Sequence, residues 1–183
     1  SAASDVYKRQ PFVLRYLIDN NIYCGFAVER NRVYPTGDLN VPPRIGFFDI
    51  EVASPPEIMP KPDAARFPIV AISLTDSYTD ETVVLTYGVP SNKQCNFMTE
   101  HEMLGFFIHY INRFDVITGW NIEMFDIPYL KNRIRKMGLA WRPKQVFDYM
   151  RAYELYRKVI GPIKTYDYKY VLQLELGKSH EDL

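Results

Sequence analysis

The sequence carries two acids, two positions apart, inside an apolar run: Gly46-Phe47-Phe48-Asp49-Ile50-Glu51-Val52. Residues i and i+2 of a strand leave the same face, so the carboxylates of Asp49 and Glu51 are expected side by side. A run this apolar reads as a central strand covered on both faces, where two unpaired like charges are very costly. A divalent cation relieves that cost and gives a reason for the pairing. The competing reading places both acids at the solvent end of the strand, facing Lys or Arg. A third acid, Asp126, follows Glu51 by 75 positions. It stands in Trp120-Asn121-Ile122-Glu123-Met124-Phe125-Asp126-Ile127-Pro128, where a loop enters a helix and proline is tolerated in the first turn. Taken alone, Asp126 is either an N-cap accepting from the helix's unpaired N–H groups or a metal ligand.

A strand bearing Asp-x-Glu, followed downstream by Asn-x-x-x-Phe-Asp at a helix start, resembles the first two exonuclease motifs of family B DNA polymerases. The stretch from Asp126 through Ile127-Pro128-Tyr129-Leu130-Lys131-Asn132 to Arg133 continues the resemblance. It extends from Arg44 to the end of the sequence, taking in Val146-Phe147-Asp148 and the segment from Thr165-Tyr166 to Leu176-Gly177. Glu51 to Pro56 and the proline-containing excursion after it look most like phage and archaeal members. The resemblance implies a ribonuclease H-like α/β fold, a mixed sheet flanked by helices. It implies a proofreading 3′→5′ exonuclease that removes the 3′-terminal nucleotide of single-stranded DNA by two-metal hydrolysis. Asp49 would then bridge two Mg²⁺ or Mn²⁺ ions about 4 Å apart. Glu51 would hold the metal that activates water, and Asp126 would hold the second through water. Asn121 and Phe125 match positions that contact the frayed strand, the ring offering a sequence-tolerant surface for a base. Read from the residues themselves, Asn121 is a turn former and Phe125 a core ring. The implied partners are the single-stranded 3′ end, primer–template DNA, the rest of a polymerase chain and a sliding clamp, with no membrane.

Such exonucleases use a fourth carboxylate, which in this family comes from a later Tyr-x-x-x-Asp motif. No tyrosine after Asp126 has an aspartate four residues on. The chain is therefore expected to be an incomplete exonuclease domain with weak or no activity of its own. Asp148 is a conceivable substitute, but it matches a different family position and is expected to be structural. Two other readings stay open: a stand-alone exonuclease of the same fold, and a catalytically dead nucleic-acid-binding scaffold. Retention of three converging acids argues against the scaffold.

The elements that must position these residues follow from periodicity. Ile45 to Val52, Ile69 to Thr75 and Thr82 to Tyr87 read as consecutive strands and suggest an antiparallel meander. Leu104, Phe107, Ile108 and Ile111 give Glu100 to Phe114 one apolar helical face. Val116 to Thr118 reads as a strand and Asp126 to Met137 as a helix closed by Gly138. A strand over Gln145 to Asp148 and helices over Tyr149 to Val159 and Tyr166 to Leu176 complete the alternation. The stretch Ser54 to Pro68 reads as a surface excursion. Lys131, Arg133, Arg135, Lys136, Arg142 and Lys144 form a basic run, expected as a solvated helix face or a phosphate-tracking edge. The short connection Gly138 to Lys144 departs from T-even phage polymerases, which carry a longer hairpin insertion there.

Upstream, Phe12 to Asp19 has helical spacing, and Ile22 to Val28 reads as one short strand before the turn and linker at Gly37-Asp38 and Pro42-Pro43. Residues 11–43 are thus expected to be the tail of an earlier domain and its linker, and residues 44–183 the exonuclease domain. Ser1 to Gln10 lacks periodicity and resembles the translation of a transposon-type sequencing adapter, so it is expected to be non-native and to pack on nothing. The 183 residues are 47% hydrophobic, enough for a sizeable core. Lys plus Arg and Asp plus Glu each total 22, so any DNA contact must be local rather than a matter of net charge. Cys24 and Cys95 are far apart and in no metal-ligand spacing. A reduced, cytoplasmic protein is expected, in a host's cytoplasm if the source is viral.

Overall fold

The computed structural model describes residues 11–23, 25–37, 42–88 and 95–177. The chain divides into two compact units, Ser1–Pro42 and Pro43–Leu183. The expectations for Ser1 to Gln10 fall outside the described residues.

In the first unit, helix α1 (Phe12–Asp19) precedes strands β1 (Gly25–Glu29) and β2 (Arg32–Thr36). Asn20 ends the helix, its side-chain amide donating to the Tyr16 carbonyl at 2.9 Å. The two strands form an antiparallel hairpin with Glu29 opposite Arg32. Arg30 and Asn31 both take positive φ, 46° and 62°, as a tight two-residue turn requires. Sequence reading expected one strand here, starting earlier. The hairpin escaped notice because its turn carries neither Gly nor an Asn-Gly pair.

The second unit runs β3 (Ile45–Val52), β4 (Ile69–Asp76), β5 (Thr82–Tyr87), β6 (Cys95–Phe97), α2 (Glu100–Ile111), β7 (Val116–Gly119), α3 (Asp126–Lys136), β8 (Gln145–Asp148), α4 (Tyr149–Ile160) and α5 (Tyr168–Leu176). The sheet order is β6-β5-β4-β3-β7-β8. Strands β3, β4 and β5 form the expected antiparallel meander. β7 lies parallel to β3, β8 parallel to β7, and β6 parallel to β5. A six-stranded mixed sheet with flanking helices is the ribonuclease H-like architecture that the sequence led us to expect.

Local chemistry fixes the helix starts. Thr99 and Glu102 make a reciprocal capping box on α2, each side chain accepting from the other's backbone N–H at 3.2 Å. Asp167 caps α5 by accepting from Lys169 and Tyr170, so that helix begins two residues later than its pattern suggested. The core gathers Phe48 and Ile50 of β3, Ile72 and Leu74 of β4, Leu104, Phe107 and Ile111 of α2, and Leu130 and Ile134 of α3.

One expectation needs correction. β3 is central but not covered on both faces: Gly46, Phe48 and Ile50 are buried, while Phe47, Asp49 and Glu51 are exposed. The apolar appearance of the strand comes from Phe47. It sits on the open face with its ring 6.4 Å from Tyr149.

The excursion from Ser54 to Pro68 is pinned rather than loose. The Tyr129 hydroxyl donates to the Phe67 carbonyl at 2.8 Å and accepts from the Phe67 N–H at 3.1 Å. Asn132 donates to the Pro62 carbonyl at 3.0 Å, and Arg133 to the carbonyls of Ala65 and Arg66. Ala65 is fully buried. Among the described residues, no helix is long and apolar enough to cross a membrane.

Candidate active site

Strands β3, β7 and β8 are mutually parallel neighbours, and their carboxyl ends carry Asp49 and Glu51, Gly119, and Asp148 respectively. The carboxyl ends of parallel strands are where open α/β sheets gather ligands. Gly119 permits the close approach that this needs. A Cβ there would lie 2.5 Å from the Phe48 carbonyl oxygen of β3 and 2.5 Å from the Ile122 side chain. β7 can therefore end against β3 and turn at once into the loop that leads to α3.

That loop delivers Asp126. Phe125 occupies the N-cap position of α3 and makes no side-chain cap bond. The acid after it is turned toward the sheet: Asp126 Oδ1 accepts from the Ile50 N–H at 3.2 Å, although 76 positions separate the two residues. Ile50 lies between Asp49 and Glu51, so the third acid is brought to the first two. Asp126 does not serve as an N-cap.

The electrostatics reflect the crowding. Burial, then the Asp49 charge and more distantly Asp148, push the Asp126 carboxyl up to about 7, against the partial relief of the Ile50 hydrogen bond. Partial desolvation and then Glu51 raise Asp49 above the usual carboxylate range. Among the described residues, none of the three acids forms a salt bridge. Their like charges are left uncompensated. Nor do any three His, Cys, Asp or Glu side chains among the described residues stand in an arrangement that could hold a metal ion. The acids are gathered as hard oxygen donors without being closed around a cation.

Asn121 and Phe125 flank the acids. Asn121 has φ of 61°, and its carbonyl accepts from Met124 and Phe125, so it is a turn former. Phe125 is half-buried, with its ring 5.5 Å from that of Tyr129. Both also line an open cleft of about 610 Å³ together with Asp49, Glu51 and Asp126. The two roles weighed for each residue are therefore compatible.

The far wall of this cleft was not foreseen. It consists of Trp120, Met150 and the segment from Thr165 to Tyr168. The Trp120 indole N–H donates to the Tyr166 carbonyl at 3.1 Å, and its ring lies 5.7 Å from Tyr168. The aromatic residues of Thr165-Tyr166-Asp167-Tyr168 were the only available signal, and nothing in their spacing points to a site 40 positions earlier.

Asp148 does not join the acids as a ligand. It is buried, and its oxygens are taken by backbone N–H groups of Asn121 (3.1 Å), Glu123 (2.9 Å) and Met150 (3.0 Å). The basic run is mostly engaged in structure. Arg133 forks onto Glu100, Lys136 reaches the carbonyls of Ala64 and Ala65, Lys144 donates to Asn112, and Arg135 to Asn132.

Comparison with known proteins agrees with this architecture. The family model described as DNA polymerase family B, exonuclease domain, matches residues 4–146. The DNA-directed DNA polymerase of Escherichia phage RB69 is 33% identical over 129 residues, covering 51% of this chain and 14% of that polymerase. The DNA polymerase of Archaeoglobus fulgidus is 30% identical over 146 residues, 70% of this chain and 17% of its own length. A DNA polymerase of Red sea bream iridovirus is 32% identical over 128 residues, 64% and 13% of the respective chains. The chain thus spans less than a fifth of each of these relatives. With the match covering most of the sequence, the chain belongs to DNA polymerase family B, in its exonuclease domain.

Proposed function

We propose that this domain removes nucleotides from the 3′ end of single-stranded DNA, as the proofreading exonuclease of a DNA-directed DNA polymerase. The observation that carries the reading is the gathering of Asp49, Glu51 and Asp126 at one cleft with, among the described residues, no cationic side chain paired to them. A structural role for the buried Asp126 beside the two exposed acids would be expected to bring a Lys or Arg of its own.

The donor set suits a hard divalent cation. Three carboxylates line one open cleft, and burial and then the neighbouring acid raise the Asp126 and Asp49 carboxyls, a penalty that a cation would relieve. Asp49, Glu51 and Asp126 would hold Mg²⁺ or Mn²⁺, two ions in all. Bound there, the ions would supply electrostatic stabilisation of the oxygens on which charge develops in phosphodiester hydrolysis. The protein's own part is positioning. Phe125, backed by Tyr129, offers a ring face to the terminal base. The turn at Asn121 places an amide side chain beside the acids, where it can orient the terminal sugar or phosphate. Trp120 and Tyr168, their rings packed together, line the same cleft and would give a single strand further aromatic surface. The partners proposed are the single-stranded 3′ end, primer–template DNA, the remainder of a polymerase chain and, for the whole polymerase, a sliding clamp.

The test is Mn²⁺ titration of this chain beside its Asp49→Ala variant, followed by assay of both on a 3′-labelled single-stranded oligonucleotide. The parent is expected to bind Mn²⁺ and, lacking the fourth carboxylate, to shorten the labelled strand only weakly and only when the metal is present. Asp49→Ala is expected to lose both properties while keeping its circular dichroism spectrum. Mn²⁺ binding that is absent, or unchanged in Asp49→Ala, would return the domain to the scaffold reading.

A further inference from the structure

Among the described residues, Asp148 is the one buried acid at the carboxyl ends of β3, β7 and β8 that the proposed chemistry does not use. It ends β8 directly opposite Gly119, the last residue of β7. Its carboxylate works on two segments at once. Oδ1 accepts from Met150 and Arg151 at 3.0 and 3.4 Å, which caps α4. The same oxygen accepts from Asn121 at 3.1 Å, and Oδ2 accepts from Glu123 at 2.9 Å. A helix cap needs only one side-chain oxygen. The second oxygen is committed entirely to the loop between β7 and α3.

That loop carries the site on a short chain of dependent bonds. Asn121 sits at positive φ, a conformation that costs a non-glycine residue and persists only where its surroundings enforce it. With its N–H fixed by Asp148, its carbonyl receives the N–H groups of Met124 and Phe125 at 3.2 and 3.3 Å. Ile122, fully buried, accepts from Ile127 at 2.9 Å. Asp126 lies inside this last bracket, facing Ile50. Beside the clamp, the Thr118 hydroxyl donates to the Phe147 carbonyl at 2.5 Å, so β7 and β8 cannot slide past each other without breaking it.

We infer that Asp148 is a positioning residue: it clamps the loop from Asn121 to Glu123 and thereby sets where Asn121, Phe125 and Asp126 stand relative to Asp49 and Glu51. This deepens the exonuclease reading and rests on it where metal binding is concerned. Asparagine cannot replace it. One of its two side-chain atoms would be an NH₂ group, set against either the Glu123 N–H or the N–H groups of Asn121 and Met150, donor against donor. Serine keeps one oxygen to cap α4 on a shorter side chain and lacks the second oxygen that holds the Glu123 N–H.

The experiment compares the parent chain with Asp148→Asn and Asp148→Ser by amide hydrogen exchange and by Mn²⁺ titration. In both variants the Asn121 and Glu123 amides are expected to exchange about tenfold faster, while amides of β4 and β5 keep parental rates. Mn²⁺ affinity is expected to fall about tenfold to a hundredfold, as when a group supporting a metal ligand is removed. Asp148→Ser is expected to regain thermal stability relative to Asp148→Ala without regaining Mn²⁺ affinity, which a purely structural cap would not predict. Parental exchange rates at Asn121 and Glu123, or parental Mn²⁺ affinity in both variants, would overturn the inference. If the parent itself binds no Mn²⁺, the exonuclease reading fails, and the exchange rates alone decide the clamp.

Discussion

Glu100 of α2 and Asp126 of α3 are carboxylates buried to nearly the same depth, 5% and 4% exposed. Glu100 is fully served: Arg133 forks onto it at 2.8 and 2.5 Å, and it accepts the Ile69 N–H at 2.8 Å. Asp126 has one hydrogen bond from a neighbouring strand and two acids for company. The first arrangement joins α2, α3, β4 and the pinned excursion into one scaffold. The second leaves charge unbalanced at the edge of a cleft. Equal burial, then, says little about how an acid is served: the fold gives Glu100 a counter-charge, while among the described residues Asp126 has none.

The comparison can be broken first on its structural side. Arg133→Ala should cost about 3 to 5 kcal/mol, because it strands the Glu100 charge in the interior and also frees the carbonyls of Ala65 and Arg66. Urea unfolding measures this. A loss below about 1 kcal/mol would mean that Glu100 is hydrated after all, and the contrast with Asp126 would collapse.

On the other side, the metal-free protein should lose stability as pH rises from about 4 to about 7. The folded-state Asp126 carboxyl titrates at about 7, above its ordinary 3.8, so across this window the native state holds a proton that the unfolded state has released. The raised Asp49 acts in the same direction. Asp76, held below the ordinary range chiefly by its hydrogen bonds from Arg44, contributes stability that is lost only at more acid pH and does not enter this window. The loss should be on the order of 2 to 4 kcal/mol. Asp126→Asn should flatten most of it, and Mn²⁺ should reverse it in the parent. Thermal unfolding at pH 5 and pH 8, with and without metal, reads each of these. A parent more stable at pH 8 than at pH 5 without metal would show that Asp126 is compensated.

The smallest expected effect sharpens the comparison at the backbone. Gly119→Ala should cost about 1 to 3 kcal/mol by overpacking, since the Phe48 carbonyl it would strike belongs to the central strand and cannot yield as a side chain can. Glu100 is remote from that contact. The substitution should therefore disturb Mn²⁺ binding far more than it disturbs the Arg133 pair, a difference that titration and unfolding separate.

Much of this could be read from the residues. The meander showed in three apolar runs with turn residues between them, and α2 showed in the spacing of Leu104, Phe107 and Ile111, because period and burial are local properties of a chain. The proximity of Asp126 to Asp49 was carried by motif resemblance, since no local pattern encodes a hydrogen bond across 76 positions. Three things were not legible. The open face of β3 was hidden by Phe47, which is apolar whether covered or not. The hairpin at Arg30-Asn31 uses positive φ at residues that do not advertise it. The cleft wall from Thr165 to Tyr168 is brought to the site by contacts across more than 40 positions, the Trp120 indole bond to Tyr166 and its ring against Tyr168, which no local pattern encodes.

The parallel pairing of β3 with β7 also orders events in time. β3, β4 and β5 are joined by local connections and can pair as soon as they have been synthesised, whereas β7 must return across α2 and the rest of the meander to lie beside β3. Contacts of such long range close late, after the entropy of the intervening loop has been offset by nearer ones. Asp49 and Glu51 are therefore carried on an early-forming hairpin that lacks its third acid. The clamp at Asp148 comes later still, from a strand that pairs only with β7. In a chain that folds in this order, the three acids stand together only once β7 has paired with β3, and Asp148 fixes the loop that carries Asp126 only after β8 has joined the sheet.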